Sequence, residues 1–170
     1  IDVTGHQAPS HWTQRHYTIG EASLPVVRVT WFDAKEYCES LNKRLPTEEE
    51  WEFAARGTTG WLYPYGNEWK PNYSAAQSPD EPRRYARPVR SYPDGRSTLG
   101  LYDMAGNVLE WTSSDFKVYP GGQVTEEDVK ANTGRKVTRG GAFVTSAKYQ
   151  TVTDRFFYLP STANDFIGFR

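Results

Sequence analysis

Lys43-Arg-Leu-Pro-Thr-Glu-Glu-Glu-Trp-Glu-Phe-Ala-Ala-Arg-Gly57 and Gly100-Leu-Tyr-Asp-Met-Ala-Gly-Asn-Val-Leu-Glu-Trp111 are the stretches from which the rest of the chain can be ordered. In the first, Thr47 with Glu50 three residues later makes a capping box, and the early carboxylates suit the positive end of a helix. Trp51, Ala54 and Ala55 supply its buried face before Gly57 ends it. Glu48, Glu49, Glu50 and Glu52 could also be read as a metal or acid/base cluster, but capping accounts for their crowding more simply. The second stretch contains two short strand candidates, Gly100 to Met104 and Asn107 to Thr112.

Upstream, Val26 to Val29 reads as a short strand bounded by Pro25, and Thr30 caps a helix over Trp31 to Leu41. Trp31, Ala34, Cys38 and Leu41 share one face of that helix, so Cys38 is read as a small core residue rather than a reactive thiol. The first 20 residues show no period and read as loop. Residues 57–94 hold six prolines and a basic patch of Arg83, Arg84, Arg87 and Arg90. With Asp80, Glu81 and Asp94 nearby, the patch reads as a solvated loop. Lys136 to Phe143 is a third strand candidate, preceded by an exposed insertion over Asp115 to Gly134. No repeat or linker divides residues 1–170. The expectation is one α+β domain with two short helices, short antiparallel strands and long loops.

Composition narrows the function classes. Across 170 residues, 20 Lys and Arg balance 21 Asp and Glu, which argues against non-specific nucleic-acid binding. No apolar run approaches the roughly 18 residues of a membrane span, so membrane insertion by this segment is not expected. The chain opens with neither Met nor a signal peptide, which reads as a fragment or mature form. Aromatic residues make up 15% of the chain, with 6 Trp, 11 Tyr and 8 Phe, so the core is built from large rings with some left for the surface. The single cysteine excludes a disulfide framework and a multi-thiolate metal site. His6, His11 and His16 recur every fifth residue, which would rotate them around a helix, and they read as satisfied or exposed rather than as a zinc site. Gly140-Gly141 precedes no helix signal and is not a phosphate loop.

Several blocks in order carry a resemblance. Pro25-Val-Val-Arg-Val-Thr-Trp-Phe-Asp-Ala34, Lys43 to Gly57, Tyr63-Pro-Tyr-Gly-Asn67, Gly100 to Trp111, Arg139-Gly-Gly-Ala-Phe143 and Ile167-Gly-Phe-Arg170 resemble the formylglycine-generating-enzyme-like (sulfatase-modifying-factor) branch of the C-type lectin fold. The resemblance implies that fold, and an amino-terminal segment that this chain lacks. It does not fix function. The branch holds a copper-dependent oxidase that converts cysteine to formylglycine, sulfoxide-forming domains, kinase-attached modules and binding proteins.

In the oxidase, two cysteines after the Arg-Gly-Gly motif hold Cu(I) as thiolates, the soft ligands that ion requires. Thr145 and Gln150 stand at those positions, so no copper is expected and the chain reads as leaning away from enzymes. The resemblance also implies a structural Ca²⁺, with side-chain oxygens from Asp103 and Glu110 and main-chain carbonyls from Gly106 and Val108. The alternative is that these two acids satisfy buried amides. A second calcium site of the family does not carry over, because Asn72, Asp80 and Glu81 align poorly with it.

Residues 139–170 keep a family frame of Arg139, Gly140, Gly141, Ala147, Arg155, Pro160 and Ile167 to Arg170. Between the fixed points lie Val144, Thr145, Ser146, Tyr149, Asp154, Phe156, Tyr158, Leu159, Thr162, Asn164, Asp165 and Phe166. This spacing is most similar to the variable proteins of diversity-generating retroelements, whose corresponding codons derive from randomised Asn codons that cannot reach Lys, Gln, Glu, Met or Trp. None of those five types occurs at the twelve positions. Rings mixed with small polar residues, with neither helix nor strand period, are also how paratopes are composed. Phe143 and Phe169 are assigned to the core.

The expected function is therefore non-enzymatic ligand binding by a monomeric domain, with 139–170 as a diversified surface and an unidentified protein or cell-surface ligand as partner. Display outside the cytoplasm is favoured. The alternatives are an oxidase-like enzyme with an altered site and a structural module of a surface assembly.

Overall fold

The computed structural model describes residues 8–9, 11–13, 16–77 and 85–170. His6, Asp80, Glu81, Arg83 and Arg84, singled out above, lie outside them. Helix α1 (Trp31–Ser40) and helix α2 (Glu48–Arg56) both start at capping boxes, with Thr30 paired to Asp33 and Thr47 paired to Glu50. Arg44 grips both oxygens of Glu50 at 2.6 Å. That grip, with the Thr47 amide, holds the Glu50 carboxyl down at about 2.

A four-stranded sheet follows: β1 (Leu109–Asp115), β2 (Lys136–Arg139), β3 (Phe156–Tyr158) and β4 (Ile167–Gly168), in the order β3-β2-β1-β4. The β1–β2 and β2–β3 pairings are antiparallel, and β1 pairs with β4 in parallel. That parallel pair departs from the all-antiparallel expectation. It needs Gly168, because a Cβ there would stand 2.4 Å from the Val26 carbonyl oxygen.

Other expectations also change. The insertion over 115–134 contains a third helix, α3 (Glu126–Asn132), capped by Thr125 with Asp128 and with no buried residue. Its Thr-Glu-Glu-Asp start repeats the signal of α2 without the apolar face that drew attention there. Val26 to Val29 is not a strand, although Arg28 N–H donates to Asn164 O at 3.0 Å. Gly100 to Met104 is not a strand either: Asp103 adopts φ 58° within a series of bends. The strand begun at Lys136 stops at Arg139, because Gly140 and Gly141 take φ 93° and 73°.

The core has two parts. Ala34 and Cys38 of α1, Leu45, Leu109, Trp111, Ala142 and Ile167 form one. Trp51, Ala55, Met104 and Val152 form the other. Three indole N–H groups are spent on specific acceptors: Trp31 on Thr112 O at 2.8 Å, Trp111 on Val29 O at 3.1 Å and Trp51 on Glu110 Oε2 at 2.5 Å. A buried ring with its polar end satisfied both fills volume and fixes direction.

Candidate functional site

The Arg-Gly-Gly turn locks onto the Gly106-Asn107 bend. Gly106 N–H donates to Gly140 O at 2.7 Å, and Phe143 N–H donates to Asn107 O at 2.9 Å. A Cβ on Gly106 would lie 2.2 Å from Ala75 O, so this crossing of chain segments requires glycine. Asn107 is buried, and its side chain accepts from Arg87 N–H at 2.9 Å and donates to Arg87 O at 3.2 Å. Gln150 completes the arrangement from below with no exposed surface. Its Nε2 lies 2.9 Å from Ala142 O, 3.1 Å from Thr145 O and 3.2 Å from Ala75 O, and its Oε1 accepts from Ser74 Oγ at 3.2 Å. The Thr145 hydroxyl accepts from Ala142 N–H at 3.0 Å. The two positions that bear thiolates in the oxidase thus lie side by side, but here both side chains knit the backbone.

Two arginines fasten the segment that follows to α2. Arg139 is fully buried; NH1 donates to Thr153 O and Asp154 O, and NH2 donates to Val152 O and to Glu52. Its guanidinium also stacks over the Trp51 ring at 5.4 Å. Arg155 forks onto Glu48, at 2.7 Å from Nε and 2.8 Å from NH2, and Glu48 also accepts from Tyr119 OH at 3.0 Å. Of the four acids read as a capping cluster, only Glu50 caps. Glu48, buried, and Glu52, half-buried, are counter-charges for the two arginines. Their positions one and five residues after the cap place both on one helical face, which is the signal that could have separated them from Glu50.

Hung between these anchors, none of the twelve singled-out residues is buried. Val144, Ser146, Tyr149, Leu159 and Asp165 are exposed, and the other seven are half-buried. Eleven of them fall into three groups, and Asp154 stands apart in the turn that starts at Thr151. Val144 to Tyr149 runs beside 74–77, where Gln77 N–H donates to Thr145 O at 3.0 Å. Phe156 and Tyr158 lie on β3 at the edge of the sheet. Leu159 to Phe166 runs beside 26–31, tied by Trp31 N–H to Pro160 O at 3.0 Å. Strand period does hold in β3: Phe157 packs on Phe116 with ring centroids 4.6 Å apart, while Phe156 and Tyr158 turn to the core. Phe166 joins that core, and Thr151 N–H donates to Asp154 at 2.9 Å. Phe143 is buried as assigned; Phe169 is half-buried, packs against the same core cluster as Phe166 and meets Tyr37 edge-on.

The residues implied for calcium form a second feature. Burial pushes the Asp103 carboxyl above the usual carboxylate range, against the pull of the Arg90 amide it accepts from at 2.8 Å and of Arg170. Glu110 is buried and lies within electrostatic reach of Asp103. Its Oε2 accepts from Trp51 Nε1 and, at 2.6 Å, from Arg170 Nε; its Oε1 accepts from Arg170 NH2. A carboxylate offers about four acceptor positions. These donors leave one on Oε1, beside a guanidinium that already neutralises the charge. Gly106 and Val108 are buried in the loop between the two acids. Among the described residues no three His, Cys, Asp or Glu side chains converge as a metal site, and no helix is long and apolar enough to cross a membrane. The Cys38 thiol is buried, and burial pushes its pKa up.

Sheet, capped helices and glycine turn define a C-type-lectin-like fold of the formylglycine-generating-enzyme type. Residues 1–170 match the sulfatase-modifying factor enzyme 1-like domain, and the chain belongs to that family. The inactive C-alpha-formylglycine-generating enzyme 2 of Bos taurus is 38% identical over 161 residues, which cover 86% of this chain and 49% of that protein. The formylglycine-generating enzyme of Streptomyces coelicolor is 33% identical, covering 100% of this chain and 59% of that protein. The chain thus spans about half the length of the curated relatives it matches. Among solved structures, Treponema denticola variable protein 1 superposes with a TM-score of 0.72 at 25% identity, covering 96% of this chain and 76% of that one. The P3c variant of Major Tropism Determinant shares the fold alone, with a TM-score of 0.53 at 17% identity over 82% of this chain and 36% of that one.

Arg155→Ala should destabilise the domain by about 3–5 kcal/mol in urea denaturation, because it leaves Glu48 buried without its cation. Adding Glu48→Leu should recover a large part of that. A single-variant loss under about 1 kcal/mol would make the pair a surface ornament.

Proposed function

We propose that this chain is a non-enzymatic ligand-binding module whose segment 139–170 is a diversified contact surface, as in the variable proteins of diversity-generating retroelements, with a protein or cell-surface ligand as partner. The observation that carries the reading is the alternation of burial along the segment. Ala142, Phe143, Gln150, Val152, Ile167 and Gly168 are buried, while every singled-out residue between them reaches solvent. A surface tolerant of variation needs that separation. Likeness in fold to Treponema denticola variable protein 1, and in sequence to a relative named inactive, supports the same reading. Thr145 and Gln150, occupied with backbone hydrogen bonds, weigh against a copper centre of the oxidase kind.

The exposed subset should behave as surface. Alanine at Val144, Ser146, Tyr149, Leu159 or Asp165 should shift stability by no more than about 0.5 kcal/mol each in thermal melts. Phe143→Ala should cost roughly 3–5 kcal/mol as a buried ring. Phe156, Tyr158 and Phe166 should fall between, since each leans on the core. Large losses at most of the exposed five would mean that the segment serves the fold and not display.

We further infer that calcium can bind at Asp103 and Glu110 with the Gly106 and Val108 carbonyls, the ion taking the remaining Glu110 position beside Arg170. The support is a half-buried acid whose charge burial disfavours, next to a second acid. Adding calcium after chelation should raise the melting temperature of the parent and leave Asp103→Ala unmoved. Identical parent melts with and without chelator would remove the ion.

A further inference from the structure

A cavity of about 490 Å³ opens between the amino-terminal loop, the segment before α1 and the end of the carboxy-terminal segment. Such a volume suits a small ligand or one or two side chains of a partner. Trp12, Tyr17, Tyr85 and Phe143 give it aromatic walls, with Trp12 and Tyr17 edge to face at 5.7 Å. His11, Glu21, Arg28 and Asp165 give it polar groups. Only Asp165 is among the twelve singled-out positions.

The charges at this cavity are unequal. Arg28 forks onto Asp165, and NH2 donates to Oδ2 at 3.1 Å, so that pair neutralises itself. Arg28 is held for the task in a left-handed turn of φ 56°. Burial and Arg28 lower the His11 pKa, which disfavours its imidazolium. Glu21 accepts a neutral amide, Thr18 N–H, at 3.2 Å, and no guanidinium or ammonium of the described residues pairs with it. The described lining therefore carries one surplus negative charge in a cavity that aromatic rings also line. A carboxylate next to aromatic faces is the arrangement that selects a cation, because the rings' negative faces add to the pull of the acid. An anion would have to displace Asp165 from Arg28 and then sit next to Glu21.

We propose that this cavity binds an alkylammonium group, presented as a lysine side chain of a protein partner, with the Glu21 carboxylate as its counter-ion and Trp12 and Tyr17 as its walls. The site goes beyond the displayed-surface reading, since its deciding residue lies outside 139–170. It adjoins that surface through Asp165, so one partner could engage both.

The test is a titration of the purified chain with Nα-acetyl-lysine methylamide, followed by tryptophan fluorescence and by ring-proton shifts. Saturable binding is expected, with the norleucine analogue at least roughly tenfold weaker. Glu21→Gln should weaken the lysine probe by a similar factor while leaving the melting temperature unchanged. Equal binding of the norleucine analogue, no effect of Glu21→Gln, or no saturation up to ~10 mM would overturn the proposal. So would tighter binding of Nα-acetyl-glutamate methylamide that is lost in Arg28→Ala, which would assign the cavity to anions. None of these results depends on the alanine scan of the carboxy-terminal segment, so the two readings fail separately.

Discussion

Arg139 sits in the interior with its guanidinium out of reach of water, and an isolated buried charge of that kind would cost several kcal/mol. The cost is offset only where acceptors converge on it, and here they come from two directions. Three successive carbonyls, Val152, Thr153 and Asp154, arrive from the segment beyond the glycine turn, and the Glu52 carboxylate arrives from α2. The chain after Gly141 must therefore return to Arg139 within about a dozen residues, whatever lies on the loop between. Arg155 repeats the device one step further with Glu48. The last residue closes the same helix–sheet junction, since Arg170 and Trp51 meet on Glu110.

On the proposed reading, this arrangement separates the side chains that hold the segment from those that it displays. Side chains that hold the segment point inward: Arg139, Gln150 and Arg155 bond to backbone or to α2, and Val152 packs against Trp51 and Ala55 of α2. Of the side chains between them, Thr145 and Asp154 pin local turns and Phe156, Tyr158 and Phe166 lean on the core, while the rest carry few of those duties. Because the posts act largely through main-chain carbonyls, they constrain the path of the backbone more than the identity of the residues on it. On the proposed reading, such a surface changes composition without the domain changing shape.

Much of the frame was legible in the residues. The cap at Thr30, the capping box at Thr47 and the buried faces of Trp51 and Cys38 follow from local rules that tertiary context did not override. Other features were hidden for physical reasons. Helix α3 buries nothing, so no apolar stripe announced it. Strand β3 has only three residues and carries rings on both faces, which masks a period of two. The parallel partner β4 has two residues, too few for any pattern, and depends on a missing Cβ at Gly168. The ion pairs of Glu48 and Glu52 join residues 107 and 87 positions apart, and local capping logic explained the acids well enough to conceal them. The cavity at Glu21 draws on four separated stretches, within 11–28, at 85–86, at 143 and at 165, and left no motif at all.

The separation of holding from display is tested most directly by randomising Val144, Ser146, Tyr149, Leu159 and Asp165 together and measuring cooperative thermal unfolding of individual library members. Most members should unfold in one transition within roughly 4–8 °C of the parent, the span that about 2 kcal/mol produces in a domain of 170 residues. If most members lack a cooperative transition, those side chains take part in holding the fold, and the account of the segment as a displayed surface is wrong.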